Sequence, residues 1–233
     1  MKYVSIFFIT GLLFILPGCS SSQEKSSPLD GYWTDKGKTI SHKKFTVPMK
    51  WAAGQYNVTG YFENGKKEYV TKTTIVRKEQ TGWVYEFIAI DKKGKISGMQ
   101  ALLEGYEDAV ANKDKTYINI IWVKMLNDDG TVQKIDGDMV AYFNTVYRYM
   151  FDQIVFPKQA FRDGGTLTVP AGTFKGTTMV SGNMDTTLAK QKAAGVYFHP
   201  DVPINGMLKA VDDKGNVIME LLDFGNNGKA VIE

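Results

Sequence analysis

Few residues in this sequence could carry out acid–base or nucleophilic chemistry. A serine-type hydrolase needs a nucleophile, a histidine base and a carboxylate, and the 233 residues contain two histidines, His42 and His199, and no G-x-S-x-G motif. His199 lies in YFHPDVPINGM, between a predicted strand and a proline-containing loop, where a lone histidine is most often structural. A zinc site would need more cysteine and histidine. We therefore predict that the protein is not an enzyme and has no metal or cofactor.

Two aspartate pairs, Asp128–Asp129 and Asp212–Asp213, are a second candidate for chemistry because carboxylates bind calcium. Neither pair continues into the alternating oxygen ligands and closing glutamate of an EF-hand loop. Each pair separates apolar or β-rich runs and is followed by glycine, so we predict that the pairs form turns. Paired carboxylates for glycoside hydrolysis stay open as an alternative, because their separation is set by the tertiary structure.

Cys19 is the one cysteine of the sequence, so it has no partner for an internal disulfide. It follows Lys2 and an uncharged run, residues 3–16, which is shorter than the roughly 18 to 20 apolar residues that span a bilayer and is typical of a signal peptide. The sequence Leu16-Pro17-Gly18-Cys19 resembles a bacterial lipobox, in which a lipid is attached to the cysteine. The alternative is an ordinary secretory signal with an incidental cysteine.

The sequence predicts three segments: a signal peptide in residues 1–18, a lipidated tether in residues 19–28 and a single β-rich domain in residues 29–233. The tether is polar and rich in serine, so it has little to bury. Ser20 follows Cys19 without an acidic residue, the arrangement of enterobacterial lipoproteins that are sorted to the outer membrane. We therefore predict a lipid-anchored protein of the bacterial cell envelope, in the outer membrane and facing the periplasm.

The charge pattern argues against a nucleic-acid partner. Without residues 1–18 the chain keeps 27 basic and 25 acidic residues, and the two signs are interspersed. Such a balance leaves no basic surface for nucleic acid and no acidic tail. We expect the membrane, through the lipid anchor, as a partner; the sequence does not identify a protein partner.

The clearest helical pattern of the mature chain is Met139–Val155. Apolar residues recur there at steps of three and four, which predicts an amphipathic helix with one apolar stripe. Asp138 is placed to cap its N-terminus, and Pro157 blocks its continuation. A stripe of this kind is ordinarily just core, and it must be covered by sheet.

The rest of the domain reads as short strands. Gln55–Phe62 alternates between apolar and polar residues, which predicts a strand with one face in water. Trp83–Ile90 and Tyr117–Leu126 are apolar on both alternation phases, so we expect both of their faces to be covered. Residues 96–113 fit either a helix or a strand followed by a helical turn, and the hairpin-type turn before them favours the strand. Asp30–Thr34 could start the sheet.

The C-terminal third carries TVPAGTFKG, then GVYFHPDVPINGMLKAVDDKGNVIMELLDFG. A V-P-A-G-x-F strand, an aromatic strand ending in a proline loop, and a G-x-(L/V)-K strand together resemble uncharacterised bacterial envelope proteins of the lipoprotein-localisation-factor (LolA/LolB-like) half-barrel superfamily. The resemblance covers roughly residues 167–224. It implies a mainly β (α+β) fold, in which a strongly curved antiparallel sheet or incomplete β-barrel is closed by helices over an apolar cavity.

The expected function is binding or carrying of a hydrophobic ligand, a lipid or an acyl chain, between the curved sheet and the central helix. The candidate lining residues are Trp83, Phe87, Trp122, Phe143, Tyr147 and Met150. A second possibility is a non-enzymatic scaffold or assembly lipoprotein with a filled core and a functional surface. An enzyme, which would need His199 or a carboxylate pair in a cleft, ranks last.

Overall fold

The computed structural model describes residues 27–41, 49–146, 151, 161–186 and 191–233. The protein is mostly β, with 53% strand and 13% helix, and in the described part of the chain twelve strands form one open, curled sheet with two α-helices. The predicted class, a curved sheet with a helix, is confirmed. The strands are β1 Thr39–Ile40, β2 Tyr56–Glu63, β3 Lys66–Lys78, β4 Gly82–Asp91, β5 Ile96–Glu104, β6 Asn119–Leu126, β7 Val132–Ile135, β8 Phe161–Val169, β9 Gly172–Thr186, β10 Gln191–Phe198, β11 Met207–Val211 and β12 Val217–Gly225. The helices are α1 Tyr106–Asn112 and α2 Asp138–Val146, with 3-10 helices at Asp30–Trp33 and Lys115–Tyr117.

The sheet is built from hairpins, as the turn residues predict. Its order is β1-β9-β10-β11-β12-β2-β3-β4-β5-β6-β7, with β8 paired to β9, and β1 alone runs parallel to its neighbour, β9. At the β2–β3 turn, Asn64 and Gly65 have φ of 52° and 75°, the positive values that a two-residue hairpin turn requires. The resulting register places Tyr61 directly opposite Tyr69.

The antiparallel order gives the sheet two different ends. The turns β2–β3, β4–β5, β6–β7 and β11–β12, residues 63–68, 91–95, 127–131 and 212–216, lie together at what we call the hairpin end. The opposite end, the loop end, carries α1, the start of α2 and the loop 199–206 between β10 and β11.

The sheet also has two different faces, and its central strands are covered on both. Trp83 and Tyr85 of β4 point to the face on which α2 packs, which we call the helix face. The alternate residue Glu86 points to the other face, which we call the tail face because segments 29–33 and 231–232 cover it. The expectation that both faces of β4 are covered is confirmed.

The strand β2 forms where it was predicted, but the expectation of one solvated face is wrong. Val58 is 8% exposed and Thr59 is 9% exposed, although they point to opposite faces. Leu29 packs against the apolar side of β2 at Val58 on the tail face. The polar side, which alternation alone leaves open, is covered by the loop 199–206, whose Asn205 accepts a hydrogen bond from Asn57. The polar residues of β2 therefore lie in the interior, on the helix face.

Residues 30–34 were expected to start the sheet, but Asp30–Trp33 is a 3-10 helix. The backbone N–H groups of Asp30 and Tyr32 donate to the carbonyls of Ser27 and Leu29, and the carboxylate of Asp30 accepts the N–H of Ser27. These local hydrogen bonds compete with strand pairing. The reading of residues 96–113 as a strand followed by a helical turn is confirmed by β5 and α1.

The helix α2 begins at Asp138, where the sequence predicts its start, and it buries Val140 and Phe143. The side-chain amide of Asn144 pairs with the backbone of Ile120, accepting its N–H at 2.7 Å and donating to its carbonyl at 2.9 Å. Helix positions 147–150 and 152–155, and Pro157, lie outside the described residues; Phe151 is buried. Within the described ranges, no helix is both long and apolar enough to cross a membrane.

Candidate functional site

Three of the six predicted lining residues, Trp83, Phe87 and Phe143, meet in one apolar cluster on the helix face, which we call the aromatic cluster. Trp51, which the sequence analysis did not assign to the site, lies at its centre. Its ring stacks on Tyr106 with centroids 3.6 Å apart and meets Trp83 edge-on at 6.4 Å. The cluster therefore offers an apolar surface made of rings held by several elements.

The other predicted lining residues are not part of this cluster as described. Trp122 pairs directly with Leu102, whose sequence neighbours both face the helix, and cross-strand partners share a face. Trp122 therefore lies on the tail face, because a bulge at Ile121 shifts the alternation of β6. A ligand on the helix face would not touch it. Tyr147, Met150 and Cys19 lie outside the described residues.

A band of buried polar side chains crosses the helix face beside the aromatic cluster. We call Asn57, Thr59, Thr71 and Thr73 the hydroxyl band; their exposed fractions lie between 3% and 9%. The β2–β3 register places Asn57 opposite Thr73 and Thr59 opposite Thr71, so the four side chains form two adjacent cross-strand pairs. Polar groups buried in this way require hydrogen-bond partners, and the band therefore defines a polar stripe inside an otherwise apolar interior.

Tyrosine hydroxyls extend the hydroxyl band. Tyr85 hydrogen-bonds Thr73, and burial raises the pKa of Tyr85 to about 12 although this hydrogen bond lowers it. Tyr61 hydrogen-bonds Thr71, and burial likewise raises its pKa. The ring of Tyr69 stacks on Tyr61 at 4.6 Å, but its buried hydroxyl has no hydrogen-bond partner among the described residues. The tyrosines are thus neutral hydrogen-bonding groups, and the hydroxyl of Tyr69 could form a hydrogen bond with a ligand.

The loop 199–206 covers both the aromatic cluster and the hydroxyl band. Ile204 belongs to the aromatic cluster and is 1% exposed, yet its φ is 73°, a region that β-branched residues rarely adopt. Its carbonyl accepts a hydrogen bond from the Trp51 indole at 3.2 Å. The next side chain, Asn205, accepts from the amide of Asn57 at 3.3 Å. The loop therefore holds a strained, buried residue against the apolar part of the site.

His199, at the start of this loop, is fully buried and bound to backbone groups. Its Nδ1 accepts the N–H of Asp201 at 3.2 Å, which assigns the proton to Nε2, 3.2 Å from the carbonyl oxygen of Lys175. The Asp201 carboxylate lies 4.0 Å from Nδ1. This arrangement fixes the loop to β9, in line with the structural role predicted for this histidine.

A polar cleft of about 700 Å³ lies at the hairpin end of the sheet. Its polar lining residues are Asn64, Lys192, Asp212, Asp213, Lys214 and Asn216. The Asp212 carboxylate accepts the backbone N–H groups of Lys214 and Asn216, as predicted for a turn former. Hydrogen bonds, first that from the Asn216 side chain, hold the pKa of Asp212 below its usual value.

The sequence did not predict the hydroxyl band or the buried Ile204, for identifiable reasons. The polar residues of β2 alternate with apolar ones, and alternation is the ordinary sign of a solvated face. Ile204 stands in a Pro-Ile-Asn-Gly run, which is typical of an exposed turn. The sequence does carry one signal for the hydroxyl band, because β3 is rich in threonine and its Thr71 lies opposite Thr59 of β2.

Comparisons with known proteins do not assign the chain to a family. No family model and no curated protein matches it. Among solved structures, it is similar to the 2.0 Å structure of the hypothetical protein CT021 from Chlamydia trachomatis, with 10% identity and a TM-score of 0.34. The alignment covers 78% of this chain and 91% of that chain. A likeness this distant carries no argument about function.

Proposed function

We propose that this protein binds a hydrophobic ligand, a lipid or an acyl chain, against the helix face of its sheet, and that a lipid on Cys19 holds it in the bacterial envelope. The observation that carries the proposal is the junction of the aromatic cluster and the hydroxyl band beneath Ile204. An amphiphile needs an apolar surface for its chain and hydrogen-bonding groups for its polar end, and this junction places the two side by side.

Ile204 occupies the apolar part of the site. An acyl chain that displaces the Ile204 side chain takes over its contacts with the rings of the aromatic cluster. Each methylene of that chain that is removed from water contributes about 0.8 kcal/mol to binding. Displacement also releases Ile204 from its left-handed conformation, which costs of order 1–2 kcal/mol for a residue with a Cβ. The hydroxyl of Tyr69 and the amide of Asn57 are groups that a polar headgroup would bind.

We expect Ile204→Ala to tighten the binding of a fluorescent fatty acid several-fold, because the truncation opens space among the rings of the aromatic cluster. Binding is measured by equilibrium titration of residues 20–233, which retain every described residue. Val202→Ala is the matched control. Val202 is in the same loop and equally buried, but it packs against Phe174 in a different apolar cluster, so we expect an unchanged affinity.

Equal tightening in both variants would contradict a site at Ile204, since it would reflect general loosening of the loop. Absence of binding to the wild type and to both variants would remove the ligand-binding proposal. It would favour a scaffold role, for which α2 offers an exposed surface: Met139 is 53% exposed and Tyr142 is 57% exposed.

A further inference from the structure

We propose that the hairpin end of the sheet faces the membrane to which the chain is anchored, and that it meets a layer of zwitterionic lipid headgroups. The inference rests on the lipid attachment at Cys19 proposed above and is independent of ligand binding. It determines which parts of the protein are turned towards the bilayer and which are turned away.

Residues 29–33 are fixed to the tail face. Leu29 is completely buried. The Trp33 indole donates to the Glu220 carboxylate at 2.7 Å, and its ring packs directly on the backbone of Gly60, where a Cβ would lie 2.2 Å from the ring. Leu29 is therefore the first residue of the described chain that is buried in the fold.

The segment 29–33 comes from the hairpin end. A Cβ placed on Gly94, in the β4–β5 turn, would lie 3.5 Å from Cγ of Pro28. Asp30 forms an ion pair of 3.0 Å with Lys67, at the beginning of β3 beside the β2–β3 turn. The chain thus arrives at the hairpin end and then follows the tail face towards the middle of the sheet.

The length of the tether limits how far Cys19 can lie from the hairpin end. The eight residues 19–26 can span at most about 28 Å, because covalent geometry limits any chain to about 3.5 Å per residue. The strand β4 has 10 residues and spans about 33 Å from the loop end to the hairpin end. A lipid on Cys19 therefore keeps the hairpin end near the headgroups, and the loop end lies a strand length farther away.

The surface proposed to meet the bilayer has a balanced charge. The four turns of the hairpin end carry six lysines and seven carboxylates. Several are paired with each other, such as Lys92 with Glu68 at 2.8 Å and Lys95 with Asp128 at 3.1 Å. Binding to anionic lipids relies on clusters of unpaired basic residues. A balanced surface instead suits headgroups that each carry a phosphate and an ammonium, and the polar cleft presents both lysine and aspartate side chains.

The orientation has a consequence for exchange of a ligand. The loop 199–206 and the start of α2 lie at the loop end, so they point away from the anchoring bilayer. A ligand that passes under Ile204 would then be exchanged with the aqueous compartment or with a partner in it, and not directly with the anchoring membrane.

The test uses the full-length, acylated protein in vesicles of phosphatidylethanolamine and phosphatidylcholine. A nitroxide label is placed through Lys93→Cys, in the β4–β5 turn, or through Thr81→Cys, in the exposed turn at the other end of β4. Relaxation by a nickel chelate carried on a lipid headgroup reports the distance of each label from the bilayer. We expect several-fold stronger relaxation at position 93, and no increase when part of the lipid is replaced by phosphatidylglycerol.

Equal relaxation at both positions, or stronger relaxation at position 81, would overturn the orientation while leaving the anchor intact. A marked increase with phosphatidylglycerol would overturn the zwitterionic partner. Mass spectrometry of the N-terminal peptide separates these outcomes from failure of the proposed function: a Cys19 without lipid would remove the anchor and, with it, the orientation that rests on it.

Discussion

At the scale of single residues, the buried carboxylate of Glu86 has the strongest need for hydrogen-bond donors among the described residues, because burying a carboxylate without them is unfavourable. It is completely buried on the tail face and accepts the backbone N–H groups of Val231 and Ile232, both at 2.9 Å, and the side-chain amide of Gln100 at 3.1 Å. Gln100 also donates to the carbonyl of Ile232 at 2.7 Å. An ionised carboxylate only accepts hydrogen bonds, which suits a position surrounded by donors. Glu86 therefore binds segment 231–232 to the sheet.

We expect Glu86→Gln to lower the free energy of unfolding by about 1–3 kcal/mol, because the amide turns an N–H group towards a buried donor that then has no acceptor. Urea unfolding followed by circular dichroism measures the change. The control is Glu63→Gln at the exposed hairpin end, where the same substitution should change stability by less than about 0.5 kcal/mol. Equal effects of the two substitutions would show that the hydrogen bonds to segment 231–232 contribute nothing specific.

At the scale of elements, the helix α2 covers the part of the β6 edge that β7 leaves unpaired. Among the described residues, the outer strand β7 pairs with the second half of β6, from Val123 to Leu126. The side-chain amide of Asn144 binds both backbone groups of Ile120 in the first half, as a neighbouring strand would. One helical side chain thus joins the helix to the sheet and protects the edge.

We expect Asn144→Ala to cost about 1–3 kcal/mol of stability, since it removes both hydrogen bonds to Ile120. Hydrogen exchange at the Ile120 N–H should become faster by more than that at neighbouring amides. Thr145→Ala is the control, because among the described residues the Thr145 hydroxyl bonds to the Ala141 carbonyl within the helix and to nothing in the sheet. Unchanged exchange at Ile120 in the Asn144 variant would contradict a role of this side chain in covering the edge.

At the scale of the whole molecule, the buried tyrosines determine how the fold responds to alkaline pH. An unfolded tyrosine ionises near pH 10, whereas Tyr85 in the folded protein ionises near a pKa of about 12 because it is buried. Burial also raises the pKa values of Tyr61, Tyr69 and Tyr106. Below pH 10 both states keep these protons, so the contribution to stability is complete there. Above pH 10 the unfolded state releases protons that the folded state retains, and the folded state loses stability.

We therefore expect the free energy of unfolding to fall between pH 10 and pH 11 by more than the roughly 1.4 kcal/mol per pH unit that one tyrosine explains. Urea unfolding at several pH values measures the slope. Tyr85→Phe should make this slope shallower by up to about 1.4 kcal/mol per pH unit, the contribution of one tyrosine. The remaining tyrosines should still cause a decline. A flat profile over this range would mean that the tyrosine hydroxyls are accessible to water in the folded protein.

The local features of this fold follow from the sequence because they have local causes. Asn64 and Gly65 allow positive φ, Asp138 begins α2, and apolar residues on both phases of β4 require two covered faces. Each of these depends on residues that are neighbours along the chain. Added together, these local features give a mainly β fold with a helix, whereas the curvature of the sheet was an implication of the family resemblance.

Burial and facing are different, because they depend on segments that are distant in sequence. Leu29 covers β2 from the tail face, a single bulge at Ile121 turns Trp122 away from the predicted lining, and Ile204 reaches the aromatic cluster from a loop. The sequence by itself determined the strands, the turns, the start of the helix and the mainly β class. Only the tertiary structure decided which polar residues are interior and which aromatic residues share a face. Alternation predicts which residues of one strand point to the same side, but it does not predict which segment of the chain covers that side.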